Sequence, residues 1–167
     1  MSSPAPLHHL DIGIGGIQVR LRTTSPEFIA LMQARFRGFT GHVDAPDHVF
    51  DVEIVPVEYA EDEALDGIST EVRVLRDGPR WRLLRGDFDA TWTPGTGRGT
   101  VRLHPSPYSL DSVLRILLTV LLAGQGGMLM HASSVMLDGR AYLFTGVSGS
   151  GKTTISRLAP PDAHVLT

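Results

Sequence analysis

The stretch Gly146-Val147-Ser148-Gly149-Ser150-Gly151-Lys152-Thr153 decides the predicted fold of this chain. It matches the pattern G-x-x-x-x-G-K-[ST] in full. The preceding residues 141–144 have the pattern of a buried strand, and residues 153–158 after it have the pattern of a short helix. A strand, a glycine-rich loop and a helix in succession are the setting in which this pattern binds phosphate, which argues against an accidental match in a glycine-rich turn.

Each residue type in the loop has a chemical role in phosphate binding. Its glycines let the backbone approach a phosphate closely, so that successive N–H groups can face the anion. Lys152 adds a positive charge for the β- and γ-phosphates, and Thr153 offers a hydroxyl to Mg²⁺. The pattern therefore predicts a site for ATP with Mg²⁺, formed by Gly146, Val147, Ser148, Gly149, Ser150, Gly151, Lys152, Thr153 and Thr154.

Composition excludes several other classes of protein. The chain has 167 residues, a formal charge of −3 with mixed signs and no cysteine. It therefore offers no basic surface for nucleic acid, no disulfide framework and no cysteine-based metal site. The first ten residues lack the pattern of a secretory signal, and the longest apolar run, residues 116–123, is too short to span a bilayer. We expect a cytoplasmic protein with no membrane or nucleic-acid partner.

The first hundred residues predict a β-rich region with one helix. Apolar residues alternate on both sides of Gly15-Gly16, which predicts a hairpin. Ser25 followed by Pro26 predicts the start of a helix that ends at Gly38. An acidic segment, residues 59–69, is predicted to be a solvated loop. Further strands are predicted at residues 50–57, 71–76, 80–84, 87–93 and 100–103, with a hairpin turn at Asp77-Gly78.

Residues 109–123 predict a second helix with a broad apolar face. Such a face needs cover from more than one direction, so we expect this helix to lie between the β-rich region and the sheet that carries the loop. We place the division near Pro105-Ser106-Pro107, with residues 1–107 as the β-rich region and 108–167 as the nucleotide-binding part. Two strands, 128–137 and 140–145, are predicted to form an antiparallel hairpin that leads into the loop. The predicted class is α/β, of the α+β kind.

The block from Leu129 to Val135, together with Asp138-Gly139-Arg140 and the loop, resembles the entry to the catalytic domain of HPr kinase/phosphorylase and HPr-kinase-related proteins. These share a fold with ATP-dependent phosphoenolpyruvate carboxykinase. The resemblance covers residues 110–167 and implies the start of a P-loop nucleotide-binding domain of that fold. It implies a serine kinase that transfers the γ-phosphate of ATP to a protein or peptide hydroxyl. Residues 146–152 would then hold the phosphates, with Lys152 positioning them, and Thr153 would hold Mg²⁺.

The chain departs from this family in two places. Bifunctional members usually have an acidic residue where Val147 stands, which argues against HPr as the substrate and leaves the acceptor open. The family places its catalytic acids just after the next strand, which residues 164–167 resemble, whereas Asp162 precedes that strand. We therefore expect the base and the second metal carboxylate to lie beyond Thr167. An incomplete chain of this kind would be inactive alone and could self-associate through an open sheet edge.

Alternatives remain open for one residue and for the function. His131 lies either near the phosphates or on a strand as an ordinary hydrogen-bonded residue. The chain could also be a nucleotide-binding module without catalytic activity. An ABC-type ATPase is a further alternative, but it needs an aromatic residue that stacks on adenine upstream of the loop, and residues 128–135 contain none.

Overall fold

The computed structural model describes residues 5–55 and 71–166. The chain divides into two compact units, Met1–Gly126 and Gly127–Thr167. Both contain strands and helices, and strands predominate, so the chain is mixed α/β, as expected. The acidic segment 59–69 and the end of the strand predicted at 50–57 lie outside the described residues. No helix within the described ranges is long and apolar enough to cross a membrane.

The described part of the first unit is built on a seven-stranded sheet, with two helices and one short 3₁₀ turn, Pro94–Thr96. The bounds are β1 His8–Ile14, β2 Ile17–Thr23, α1 Pro26–Arg35, β3 His48–Ile54, β4 Arg73–Asp77, β5 Arg80–Arg85, β6 Phe88–Thr93, β7 Arg98–Leu103 and α2 Pro107–Gly124. The strand order in the sheet is β1-β2-β3-β7-β6-β5-β4. Strand β3 runs parallel to both of its neighbours, β2 and β7, and the other pairs are antiparallel.

Local sequence signals explain the start of this sheet. Gly15 and Gly16 both have positive φ, 60° and 82°, as a tight two-residue hairpin turn requires, so the predicted first hairpin is confirmed. Ser25 caps α1, since its hydroxyl accepts a hydrogen bond from the Phe28 N–H at 3.2 Å. The second hairpin turn is Gly78-Pro79, one residue later than predicted, because Asp77 still pairs with Arg80 in the ladder.

Helix α2 supplies much of the core of the first unit. It begins at Pro107, earlier than predicted, because the Ser106 hydroxyl caps it by accepting from the Tyr108 N–H at 3.3 Å. Ser109, the predicted first residue, is instead fully buried inside the helix. The first compact unit continues to Gly126, whereas the sequence placed the division near Pro107. The reason is the apolar face of α2, which joins the core formed by the sheet and α1 through Leu110, Val113, Leu114, Leu117 and Leu118.

The second unit contains a three-stranded antiparallel sheet and one short helix. Its elements are β8 Ala132–Leu137, β9 Arg140–Thr145, α3 Lys152–Arg157 and β10 His164–Val165, and the strand order is β10-β8-β9. The hairpin between β8 and β9 turns at Asp138-Gly139 as predicted, with φ of 50° and 69°. The prediction that residues 141–144 are buried is wrong. Strand β9 lies at the sheet edge, where Tyr142 is 46% and Leu143 57% exposed.

Candidate phosphate-binding loop

The candidate site is the loop from Gly146 to Gly151, which joins β9 to α3. Gly149 and Gly151 have φ of 80° and 84°, in the left-handed region that favours glycine. A Cβ added at Gly146 would lie 2.7 Å from the Ser150 hydroxyl oxygen and 3.3 Å from the Ser150 Cβ, so a larger residue at this position would have to displace Ser150. The Ser150 N–H donates to the Val147 carbonyl at 3.2 Å and closes a turn inside the loop. The glycine spacing in the sequence thus corresponds to a tightly curled backbone.

The side chain of Lys152 reaches back from the first residue of α3 to the start of the loop. Its Nζ donates to the carbonyl oxygens of Gly146 and Val147, each at 2.9 Å. An ammonium group has three N–H donors, so two of them hold the loop and one remains for another acceptor. The loop is therefore closed around a positive charge. Lys152 is also the only lysine in the chain.

Several backbone N–H groups of the loop are available as donors. Within residues 5–55 and 71–166, no protein acceptor is found for the N–H groups of Ser148, Gly149, Gly151, Lys152 and Thr153. Successive free N–H groups in a curled backbone form a concavity that binds anions. The lysine ammonium adds the full charge that makes such hydrogen bonds strong. These features together suit a phosphate group.

Thr153 follows the lysine and fits the predicted role of a magnesium ligand. Its side chain is exposed, as are those of Thr154 and Val147. Mg²⁺ at nucleotide sites is held by one or two protein groups together with phosphate oxygens and water, so one threonine hydroxyl beside the lysine is a suitable donor. In the described ranges, histidine and acidic side chains form no cluster of three or more that could hold a metal ion.

The loop is attached to the sheet by a contact that the sequence did not reveal. The Ser133 hydroxyl on β8 donates to the Lys152 carbonyl at 2.6 Å. Ser156 on α3 is buried, and its hydroxyl donates to the Thr153 carbonyl at 3.0 Å. Nothing in the residues that flank Ser133 along the chain indicates a role for it. The role of Ser133 becomes evident only in the fold, where β8 lies beside α3.

His131 and Asp162 both lie outside the loop. Ala132 pairs with Thr145, so His131, just before β8, lies at the end of the hairpin where the loop begins. It is exposed and outside the strand, so it is not the ordinary strand histidine of the alternative interpretation. Asp162 is exposed and lies before β10. Among the described residues, hydrogen bonds of the loop involve neither of them.

Ionisable groups with displaced pKa values in the described chain all lie in the first unit, where they stabilise the fold. The Arg20 guanidinium holds the pKa of buried Asp11 below its usual value, and the same carboxylate accepts from the Val43 N–H at 3.1 Å. Arg20 also donates to the Val43 carbonyl at 2.6 Å. These bonds attach the loop after α1 to β1 and β2, so they explain chain packing and suggest no chemistry.

A second polar cluster joins the β5–β6 turn to α2. The Arg85 guanidinium lowers the pKa of Asp87, and the buried Ser109 hydroxyl donates to the same carboxylate. Arg85 also donates to the Ser112 hydroxyl at 3.0 Å. The Asp87 carboxylate thus accepts hydrogen bonds from β5 and from α2, so the cluster joins these two elements.

Comparison with known proteins adds no relative to this description. No model of a protein family matches the chain, and no curated protein matches it either. The candidate site is therefore defined by its own residues, and the geometry that recommends it is the glycine-rich loop closed by Lys152.

Proposed function

We propose that the loop Gly146–Thr153 binds the phosphates of ATP with Mg²⁺. The observation that carries this proposal is the position of Lys152, whose ammonium bridges the Gly146 and Val147 carbonyls, while several N–H groups of the same loop have no acceptor among the described residues. A loop of this form presents a positive charge and hydrogen-bond donors together. An anion with several oxygen atoms can pair with the positive charge and accept hydrogen bonds from the N–H groups. A polyphosphate chain is such an anion, because each phosphate carries several oxygen acceptors close together.

We further propose that the chain belongs to an ATP-dependent kinase related to HPr kinase, which acts on a serine hydroxyl of a protein or peptide in the cytoplasm. The resemblance in residues 129–140 supports this, and so does the antiparallel hairpin that leads directly into the loop. Phosphoryl transfer depends on positioned phosphates and a bound metal ion more than on covalent chemistry by the protein. The residues that contribute here are Lys152 for the phosphates and Thr153 for the metal.

Calorimetry with Mg-ATP tests the binding step. Lys152→Ala removes the ammonium, and Arg157→Ala is the matched control because it removes a positive charge from the last turn of the same helix. Loss of charged hydrogen bonds predicts a Kd about 10 to 100 times higher for Lys152→Ala. Arg157→Ala should bind within about twofold of wild type, since exposed charges outside the loop contribute little. Equal binding by all three folded proteins would contradict the proposal.

The single lysine allows a second, independent test. An amine-acylating ester reacts mainly with primary amines, which in this sequence are Lys152 and the α-amino group, and peptide mass spectrometry measures each separately. Mg-ATP should slow acylation of Lys152 and leave the α-amino group unchanged. Protection of both groups, or of neither, would show that nucleotide does not cover the loop.

A further inference from the structure

The bond between Ser133 and Lys152 connects the middle of the sheet to the end of the loop. The Ser133 hydroxyl oxygen lies 2.6 Å from the Lys152 carbonyl oxygen, and Ser133 is only 5% exposed. Loss of its acceptor costs more free energy for a buried hydroxyl than for an exposed one, because an exposed hydroxyl can donate to water instead. The contact therefore adds a second constraint to a carbonyl whose direction the first turn of α3 also sets.

The direction of that carbonyl determines the direction of a donor in the loop. The Lys152 carbonyl and the Thr153 N–H belong to one planar peptide group, which is trans. In such a group the C=O and the N–H point in opposite directions. Because the carbonyl points towards Ser133 on β8, the Thr153 N–H points away from β8. That N–H has no protein acceptor in the described part of the chain, so it is free for an anion.

The same bond also makes the N–H a better donor. A hydrogen bond to the carbonyl oxygen polarises the peptide group, and linked hydrogen bonds strengthen one another in this way. The plane of this peptide further determines where the side chains of Lys152 and Thr153 leave the backbone. One buried hydroxyl thus steadies the peptide group that joins Lys152 to Thr153 at the start of α3.

We propose that Ser133 is a positioning residue for phosphate binding, acting through the Lys152–Thr153 peptide group. This inference rests on the proposed function, because it assigns Ser133 a part in the same site. Ser133 does not touch the phosphate. Its hydroxyl acts with the first turn of α3 to keep the Thr153 N–H directed at the anion, and without it only that short helix holds the peptide group.

Calorimetry of Mg-ADP and Mg-ATP binding compares Ser133→Ala, Ser133→Thr and Ser134→Ala with wild type. Ser134 is the matched control, since it is also buried and its side chain leaves β8 on the opposite face. Ser133→Ala should raise Kd about fivefold, the factor expected for one hydrogen bond of ordinary strength. Ser133→Thr, which keeps the hydroxyl, should restore binding, and Ser134→Ala should bind like wild type. Ser133→Ala with unchanged affinity would overturn the inference.

Nuclear magnetic resonance of the free protein separates this role from general folding. In Ser133→Ala the Thr153 amide proton should move upfield, because its peptide group is no longer polarised, and in Ser133→Thr it should stay near its wild-type position. An unchanged Thr153 amide in Ser133→Ala would overturn the inference even if that variant bound nucleotide less well. A wild-type protein that binds no nucleotide would overturn the proposed function, whereas normal wild-type binding with no effect of Ser133→Ala overturns the positioning role alone.

Discussion

Truncation of Leu117 to alanine tests the packing of α2 on the sheet. Leu117 is 1% exposed and lies in the core of the first unit. The change removes three buried carbon atoms and leaves a cavity, which costs about 2.7 to 5 kcal/mol at well-packed leucines. Alanine is as good a helix former as leucine or better, so local propensity does not add to this loss. Against a typical domain stability of about 5–15 kcal/mol, the loss is a large fraction.

Urea unfolding followed by tryptophan fluorescence measures this loss. Both tryptophans, Trp81 and Trp92, lie in the first unit, and Trp92 is buried in the same core as Leu117. The midpoint should fall and the slope with urea should stay constant, because the surface exposed on unfolding is nearly unchanged. The matched control is Leu31→Ala on α1, where the leucine is 42% exposed and the same change should cost less than about 0.5 kcal/mol.

The difference in stability loss between Leu117→Ala and Leu31→Ala tests whether α2 packs on the sheet. A loss below about 1 kcal/mol for Leu117→Ala, or equal losses for both variants, would show that α2 does not pack on the sheet as described. A changed slope for Leu117→Ala alone would instead mean that the variant no longer unfolds as one cooperative unit.

Two further predictions concern pH. Burial lowers the pKa of His48, whose neutral ring accepts from the Trp92 indole N–H at 3.4 Å, so the unfolded chain binds the proton more readily. Stability should therefore be complete above about pH 6.5 and fall below it. His48→Gln should remove that part of the slope, and an identical slope in unfolding curves from pH 7.5 to 5.5 would contradict this assignment. The Arg85 guanidinium lowers the pKa of Asp87, so its stabilisation should be present above about pH 3.9 and be lost as the pH falls through the lower folded value. Asp87→Asn should lower the free energy of unfolding by about 1–3 kcal/mol at pH 7 and make stability fall less steeply at acid pH. A fall at acid pH as steep as that of wild type would refute this prediction.

Features encoded by neighbouring residues could be predicted from the sequence. The turns at Gly15-Gly16 and Asp138-Gly139 follow from residues that accept positive φ, and the start of α1 follows from the Ser25 cap. The loop between β9 and α3 was placed correctly for the same reason, since its glycines and lysine act within one short segment. Nucleotide binding at this loop stays a prediction.

Features that depend on distant residues could not be predicted. Nothing in the sequence indicates that β3 inserts between β2 and β7, because that order depends on pairing strands far apart along the chain. The exposure of Leu143 was missed for a related reason. An apolar strand pattern is the same at an edge as at the centre of a sheet, and only the arrangement of neighbouring strands distinguishes them.

The sequence by itself thus determined the hairpin turns at Gly15-Gly16 and Asp138-Gly139, the cap of α1 and the loop with Lys152, because each depends on backbone preferences and side chains within a few residues. Only the tertiary structure decided that α2 belongs to the core of the first unit and that Ser133 holds the Lys152 carbonyl. Those contacts join residues separated along the chain, and a hydroxyl in a strand has many possible acceptors until the fold leaves it one. The physical reason is that burial and hydrogen-bond direction are properties of packed elements, which no short stretch of sequence specifies alone.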